Sequence, residues 1–242
     1  MEKNRNHRPG AAFAIAAADY LFLLERHYPQ SSVLKLTGDR YKLNSLEHSV
    51  LYRGVAARDE ARRRASKLAG PQSIAGNGLH IDGYNLLISL GSYLNGDFVF
   101  ISNDSLLRDA SEIHGKAFRS VLFDKAVLLL FSYLETLRPA RVDFYFDKPV
   151  SQSGELCKKI NQLLTHYGFE GRAITCQSPD YMLKTMDTGL IATSDSGIID
   201  RCKIPVLNLA FGVLSFHYRK AFTDLRTLFS PIDPPNLVQY KM

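Results

Sequence analysis

Tryptophan is absent from the 242 residues, and cysteine is scarce: Cys157, Cys176 and Cys202 stand far apart. With no C-x-x-C and no close Cys/His pairing, a zinc ribbon and a disulfide scaffold are excluded, and the usage fits a reducing, cytoplasmic compartment. Long hydrophobic runs are lacking too. The stretches 11–24 and 126–134 are too short or too interrupted to span a bilayer, so no membrane partner is expected. Lys3, Arg5 and Arg8 precede an alanine-rich segment in the manner of a signal peptide. Asp19 and Glu25 fall within or just after the apolar part, however, and no small-residue cleavage site follows, so the segment reads as a helix of the mature protein. There is no G-x-S-x-G, no G-x-x-x-x-G-K-[ST], no G-x-G-x-x-G, and no histidine pair at zinc-hydrolase spacing. The common hydrolase, NTPase, dinucleotide and zinc-hydrolase readings fall away.

What is present is ordinary globular composition, enough to bury a core without crosslinks. The net charge of +6 is unevenly spread. Residues 1–78 hold 13 Lys/Arg against 7 Asp/Glu, while 79–242 hold 17 of each. Such asymmetry points to an anionic partner for the first third, with nucleic acid the usual one; a solvated basic helix is an equal alternative. In the densest run, RDEARRRASK (58–67), Asp59 and Glu60 lie at the N-terminal end and bases follow, which also suits a helix dipole.

The first third reads as a small, mainly helical, basic domain, 1–70. A helix over 11–28 has apolar residues nearly all round it, so it either packs inward or forms a homodimer interface. A short segment at 32–42 contains an expected turn at Gly38-Asp39. Asn44 or Ser45 caps a second helix running to about Leu68, interrupted at Gly54. The stretch AGPQSIAGNG (69–78) supplies a linker, 71–78. From 79 to 242 strands alternate with helices: strands at 79–82, 98–102, 142–146, 172–176, 190–193 and 204–209, helices at 83–94, 118–137, 153–167 and 179–185. That pattern is α/β, with a mostly parallel central sheet covered on both faces. The tail, 231–242, is proline-rich and reads as extended.

Three of these strands end on an aspartate: Asp82 in LHIDGYN, Asp147 in DFYFDKP and Asp195 in IATSDSG. Asp180 in SPDYMLK opens the helix after a fourth. In open α/β sheets ligands bind just beyond the carboxyl ends of the strands. Four acids at one edge repel one another unless cations, protonation or basic neighbours intervene, and a hard divalent ion is the natural solution. Such an ion activates water and stabilises charge at a phosphodiester. Each aspartate has an ordinary alternative as a turn former or helix cap: Asp195 for the helix after it, Asp180 as part of a Pro-Asp helix start, Asp147 as a turn paired with Lys148. Asn85 and Ser194 flank the acids as candidates for positioning water or substrate.

HIDGYNLLI, PDYMLK, LIATSDSGI and FYFDKP together resemble the NYN branch of PIN-like nuclease domains, over about residues 79–210. With the helical segment ahead of it, the chain also looks like an uncharacterised prokaryotic family that joins a small domain of unknown function to a PIN-like one. The resemblance implies a three-layer sandwich of PIN-like, Rossmann-like topology, Mg²⁺ or Mn²⁺ as cofactor, and hydrolysis of RNA or DNA, with RNA favoured. Carried over, Asp82, Asp147, Asp180 and Asp195 form the catalytic and metal-binding set, with Asn85 beside it. PIN nucleases place a glutamate on an intervening helix; Glu112 is the candidate by order, and Glu135 comes late in its helix. A depleted acid set would instead make a non-catalytic nucleic-acid-binding or assembly scaffold. A phosphatase of haloacid-dehalogenase type needs an acid where Tyr84 stands.

Two further clusters accompany the likeness. In NDSLLRD, Asp104 and Asp109 surround Arg108, which is either a bidentate phosphate ligand or the partner of an Asp–Arg ion pair. In SQSGELCKK, Ser151 and Ser153 precede a helix N-terminus that caps itself or receives a phosphate.

Overall fold

The computed structural model describes residues 9–110, 121–148, 153–219 and 221–229. Helices α1 (Ala11–Leu24), α2 (Gln30–Tyr41), α3 (Ser45–Gly54) and α4 (Arg58–Ser66) come first. Then follow β1 (Leu68–Ala69), β2 (Gly78–Asp82), α5 (Gly83–Asn95), β3 (Val99–Ile101) and β4 (Leu107–Asp109). The remainder runs α6 (Val121–Leu137), β5 (Arg141–Asp147), α7 (Ser153–His166), β6 (Gly171–Cys176), α8 (Pro179–Thr185) and β7 (Leu190–Ala192). The last elements are α9 (Ser196–Ile199), β8 (Val206–Leu207), α10 (Leu209–Tyr218) and β9 (Thr223–Asp224). The described residues form two compact units. One is drawn from 9–66, 92–110 and 221–229, the other from 67–91, 121–148 and 153–219.

In the first unit Phe13, Ala17, Tyr20 and Leu21 of α1 share a core with Val33, Val50, Leu51, Val55, Phe100, Ala110, Leu225 and Phe229. The opposite side of α1 leaves Ile15 and Phe22 exposed, with the Arg26 guanidinium 3.7 Å over the Phe22 ring. Helix α3 starts at a reciprocal cap. Asn44 Oδ1 accepts the Glu47 N–H, Glu47 Oε2 accepts the Asn44 N–H, and Glu47 Oε1 also holds the Gly10 N–H ahead of α1. Helix formation breaks after Gly54, where Asn103 takes over: its amide accepts from Ala56 N–H at 3.0 Å and donates to Ala56 C=O at 2.7 Å.

Two expectations are corrected here. Gly38 is not in a turn; α2 runs straight through it. The glycine serves close packing, because a Cβ there would collide with the His48 ring of α3. The strand expected at 98–102 does not join the parallel sheet. It forms β3, antiparallel to β4 and parallel to β9, in a separate three-stranded sheet. Phe100 explains the choice: a Cβ on Gly54 would lie 2.6 Å from its ring, so the strand packs directly on the end of α3.

The second unit carries a six-stranded, all-parallel sheet in the order β1-β8-β7-β2-β5-β6. From β2 the chain steps one way, to β5 and β6, then returns past β2 to β7 and β8. Right-handed crossovers in opposite directions cover opposite faces, so the architecture is a three-layer α/β sandwich. Helix α7 packs on β5 and β6, α6 on α10, and α8 on β2, β5 and α9. Leu79 and Ile81 of β2 and Val142, Phe144 and Phe146 of β5 are buried, with Phe131 of α6 stacked on Phe144. Residues 71–78 are tied in as well, through Ala140 N–H to Asn77 C=O and a bridge of Ala75 to Pro139. Lys67 donates to the carbonyls of Ile199 and Cys202 at the end of α9, and its own carbonyl accepts the Val206 N–H.

The turn between β3 and β4 is built on charge. Arg108 makes two bonds to Asp104, at 2.7 and 2.8 Å, and one to Ser102 Oγ, all buried; Arg64 lies 3.5 Å from the same carboxylate. Burial alone would raise the Asp104 carboxyl, yet Arg108, Ser102 and Arg64 hold it below the usual carboxylate range. Asp104→Ala would take from the buried Arg108 guanidinium the carboxylate it meets at 2.7 and 2.8 Å, at a cost of about 3–5 kcal/mol in urea unfolding at neutral pH. A cost below about 1 kcal/mol would show that the pair does not hold this turn.

Candidate functional site

Strands β2 and β7 are neighbours, and the chain leaves them in opposite directions. Their carboxyl ends therefore border the crevice in which open α/β sheets bind ligands. Asp82 is the last residue of β2. Thr193, Ser194 and Asp195 follow β7 directly. The Thr193 hydroxyl donates to Asp82 Oδ2 at 2.9 Å and accepts the Asp195 N–H at 3.1 Å. Asn85, in the first turn of α5, accepts from both the N–H and the hydroxyl of Ser194, at 2.8 and 2.9 Å. Its own N–H lies 3.4 Å from Asp82 Oδ1. Asp82, Asn85, Ser194 and Asp195 are thus brought together, with Thr193 as the link. Sequence reading left Thr193 out of the site; the signal was there in T-x-D, two residues before the strand-end acid.

Asp82 is the most perturbed of these groups. Burial pushes its carboxyl up to about 7; the Thr193 hydroxyl and the Asn85 N–H pull the other way, and the charges of Asp195 and Asp180 add to the rise. Asp147, half-buried at the end of β5, is raised by burial and then by Asp180. Asp180 is exposed, beside Lys184 at 3.2 Å. It is not the cap of α8; Ser178 Oγ accepts the Tyr181 N–H instead. Asp195 does act as a cap, with Oδ1 accepting the Ile198 N–H at 3.0 Å. Among the described residues no three His, Cys, Asp or Glu side chains converge closely enough to hold a metal ion between them.

Arg108 and Asp104 belong to the first unit, and of the two readings open for them the ion pair is the one seen. Ser153 is buried at the start of α7. Glu135 is exposed near the end of α6. Glu112, Ser151 and the tail 231–242 lie outside the described residues. No helix among the described residues is long and apolar enough to cross a membrane. The positive excess of 1–78 is answered in part within the first unit: 9–66 hold 9 Lys/Arg against 6 Asp/Glu, and 92–110 with 221–229 bring 2 against 4. The described residues of the first unit hold 11 Lys/Arg and 10 Asp/Glu, with Arg53 on Asp109, Arg58 on Glu25 and Arg64 near Glu60 and Asp104.

Residues 71–210, more than half of the chain, match the model of a family described as a domain of unknown function (DUF5616). The chain belongs to this family. Residues 12–67 match a second model, a protein of unknown function (DUF434). The chain is also 32% identical, over 184 residues, to the Uncharacterized protein MJ0935 of Methanocaldococcus jannaschii, an alignment covering 76% of this chain and 87% of that protein. No solved structure matches. The DUF5616 segment holds Asp82, Asn85, Asp147, Asp180, Thr193, Ser194 and Asp195; the DUF434 match spans α1 to α4.

A raised carboxyl weakens the fold where it must ionise. Between an unfolded value near 3.8 and a folded value of about 7, the native chain holds a proton that the unfolded chain has lost, so this group's contribution to stability falls as pH rises through that window. Asp82→Asn removes the penalty. In chelator, urea unfolding of the variant is expected to show a gain on the order of 1–3 kcal/mol at pH 8, shrinking towards zero near pH 4. A gain independent of pH would contradict this origin.

Proposed function

We propose that this chain is a Mg²⁺- or Mn²⁺-dependent nuclease with a PIN-like (NYN-type) site, hydrolysing phosphodiester bonds of RNA, with DNA the alternative substrate. The observation that carries the reading is the hydrogen-bonded group of Asp82, Thr193, Asn85, Ser194 and Asp195 beside the β2/β7 crevice, with a buried carboxyl at its centre. Burial raises the Asp82 carboxyl, with Asp195 and Asp180 adding to the rise, and burial followed by Asp180 raises that of Asp147. An all-oxygen acidic set of this kind suits a hard divalent cation. Mg²⁺ asks for only one or two carboxylates, completing its shell with water and substrate phosphate oxygens, so Asp82 with Asp195 suffices without a three-residue cluster. When bound, such an ion supplies Lewis-acid stabilisation of phosphoryl charge and a more acidic water.

The chain's own groups do the rest. Thr193 fixes the orientation of the Asp82 carboxylate. The Asn85–Ser194 clamp holds the loops after β2 and β7 in register. Asp195, with one oxygen committed to α9, keeps the other for a ligand, and Asp147 and Asp180 extend the acidic field. A second reading has its own support. The absence of a three-residue metal cluster among the described residues, and the capping duty of Asp195, favour a non-catalytic nucleic-acid-binding or assembly scaffold.

Melting in EDTA, Mg²⁺ and Mn²⁺, followed by cleavage assays on end-labelled RNA and DNA, separates the two. The nuclease reading expects the metal to raise the wild-type melting point by about 5–10 °C at a hundredfold excess over Kd. It also expects metal-dependent cleavage, with both effects lost in Asp82→Asn/Asp195→Asn. Cleavage retained by that variant rules out this site; salt-dependent binding with no product supports the scaffold.

A further inference from the structure

Tyr181 is 67% exposed, more than any other large apolar side chain among the described residues. A single exposed apolar side chain is ordinary on a protein surface, and it is the setting of this one that gives it meaning. Strands β5 and β6 end side by side, with Asp147 opposite Cys176 and the Lys148 N–H on the Cys176 carbonyl. Gln177 and Ser178 lead from there into α8, so the first turn of that helix, with Asp180 and Tyr181, follows directly on the strand ends. The helix is fixed in place. Pro179 and Leu183 are buried, α8 packs on β2, β5 and α9, and Ser178 Oγ accepts the Tyr181 N–H at 3.1 Å. The backbone of Tyr181 is thus held while its ring stays in water. The charge of Asp180, its neighbour, reaches both Asp82 and Asp147. Tyr84, the other tyrosine beside these acids, is placed differently: it is half-buried, with its ring edge-on to Phe146 at 5.1 Å. Positive charge is also close. Lys148 is exposed directly after Asp147, and Lys184 lies one turn along α8 from Asp180.

We infer that the Tyr181 ring is the platform on which a base of the substrate strand stacks, beside the phosphate that the strand-end acids address. The inference rests on the nuclease reading for the place of that phosphate. An aromatic face with cations beside it is the combination that holds a single strand: lysines meet the backbone while the ring takes a base. Every base has a π-face, so the contact tolerates any sequence. Tyrosine suits the task because its side chain loses little freedom when a partner covers it. Within a duplex, neighbouring pairs already cover both faces of a base, so Tyr181 selects unpaired stretches, loops and ends.

The test titrates the full chain, in EDTA and, before any cleavage, in Mg²⁺. The probes are an unpaired RNA oligonucleotide carrying a 2-aminopurine, whose fluorescence falls on stacking, and the same strand in a duplex. Tyr181→Ala is expected to abolish the stacking signal and to weaken binding of the unpaired strand by about fivefold to a hundredfold, with duplex binding moved by less than about twofold. Tyr181→Phe keeps the ring and is expected to bind as wild type. In cleavage of the unpaired strand, Tyr181→Ala is expected to raise KM with kcat nearly unchanged, as the loss of ground-state binding does. Should Tyr181→Ala melt early, Tyr181→Leu keeps apolar bulk without an aromatic face and is expected to show the same loss. Wild-type affinity for the unpaired strand in the folded variant overturns the inference. An equal loss on duplex, weak binding by Tyr181→Phe, or no binding by the wild type does so too. A wild type that binds with a Tyr181-dependent signal yet releases no product with Mg²⁺ or Mn²⁺ overturns the nuclease reading and leaves the stacking in place. Cleavage with KM unmoved in Tyr181→Ala does the reverse.

Discussion

Everything at the candidate site follows from one constraint: β2 is paired along both of its edges. It lies between β5 and β7, and the strand order carries the chain from β2 towards β5 and from β7 towards β8, in opposite directions. The two loops that diverge there cannot cross-brace through backbone pairing, so side chains join them. Thr193 reaches from the loop after β7 to the carboxylate that ends β2, and Asn85 reaches back to Ser194. Strand order thus creates the crevice, and two short polar links set its geometry. The carboxyl of Asp82 is placed where burial and two neighbouring acids both disfavour its charge, and a group so held is responsive to any cation or proton that arrives.

The second unit was largely readable in advance. Parallel strands buried on both faces tend to be continuous apolar runs; β7 is one, β5 is buried through its middle despite Asp143, and β2 alternates, with Leu79 and Ile81 buried and His80 between them not. Asp82 and Asp147 are legible as strand ends from the turn residues that follow them, and Pro179-Asp180 marks the start of α8. The failures came where a residue's type was clear but its partner was not. The run at 98–102 was recognisably a strand, yet nothing local says which sheet receives it; the tight fit of Phe100 over Gly54 decides that. Glycine permits a turn at position 38, but the structure uses it to let α2 approach the His48 ring. In the sequence Thr193 is only one of several small polar residues flanking Asp195, and the return of β7 to β2 gives it its task on Asp82.

Charge along the chain is a partial guide. Along the chain the first third looks basic, but three of its arginines meet acids within the first unit: Arg53 with Asp109, Arg58 with Glu25, Arg64 with Asp104. Two of those acids come from the β3–β4 hairpin, some fifty and forty residues further on. A basic stretch is therefore not by itself a nucleic-acid footprint; it can be half of an internal neutralisation whose other half lies elsewhere in the sequence.

The boundaries of the two family matches do not coincide with the boundaries of the cores. The first unit's core takes Phe100 and Ala110 from inside the DUF5616 match and Leu225 and Phe229 from beyond it. Strand β1 and Lys67, which close the far edge of the parallel sheet, fall at the seam between the matches. A fragment ending at 67 would leave Leu51 and Val55 facing water, and one beginning at 71 would bare β8. Transplanting the leading helices with their core intact would take three separate stretches of the chain at once.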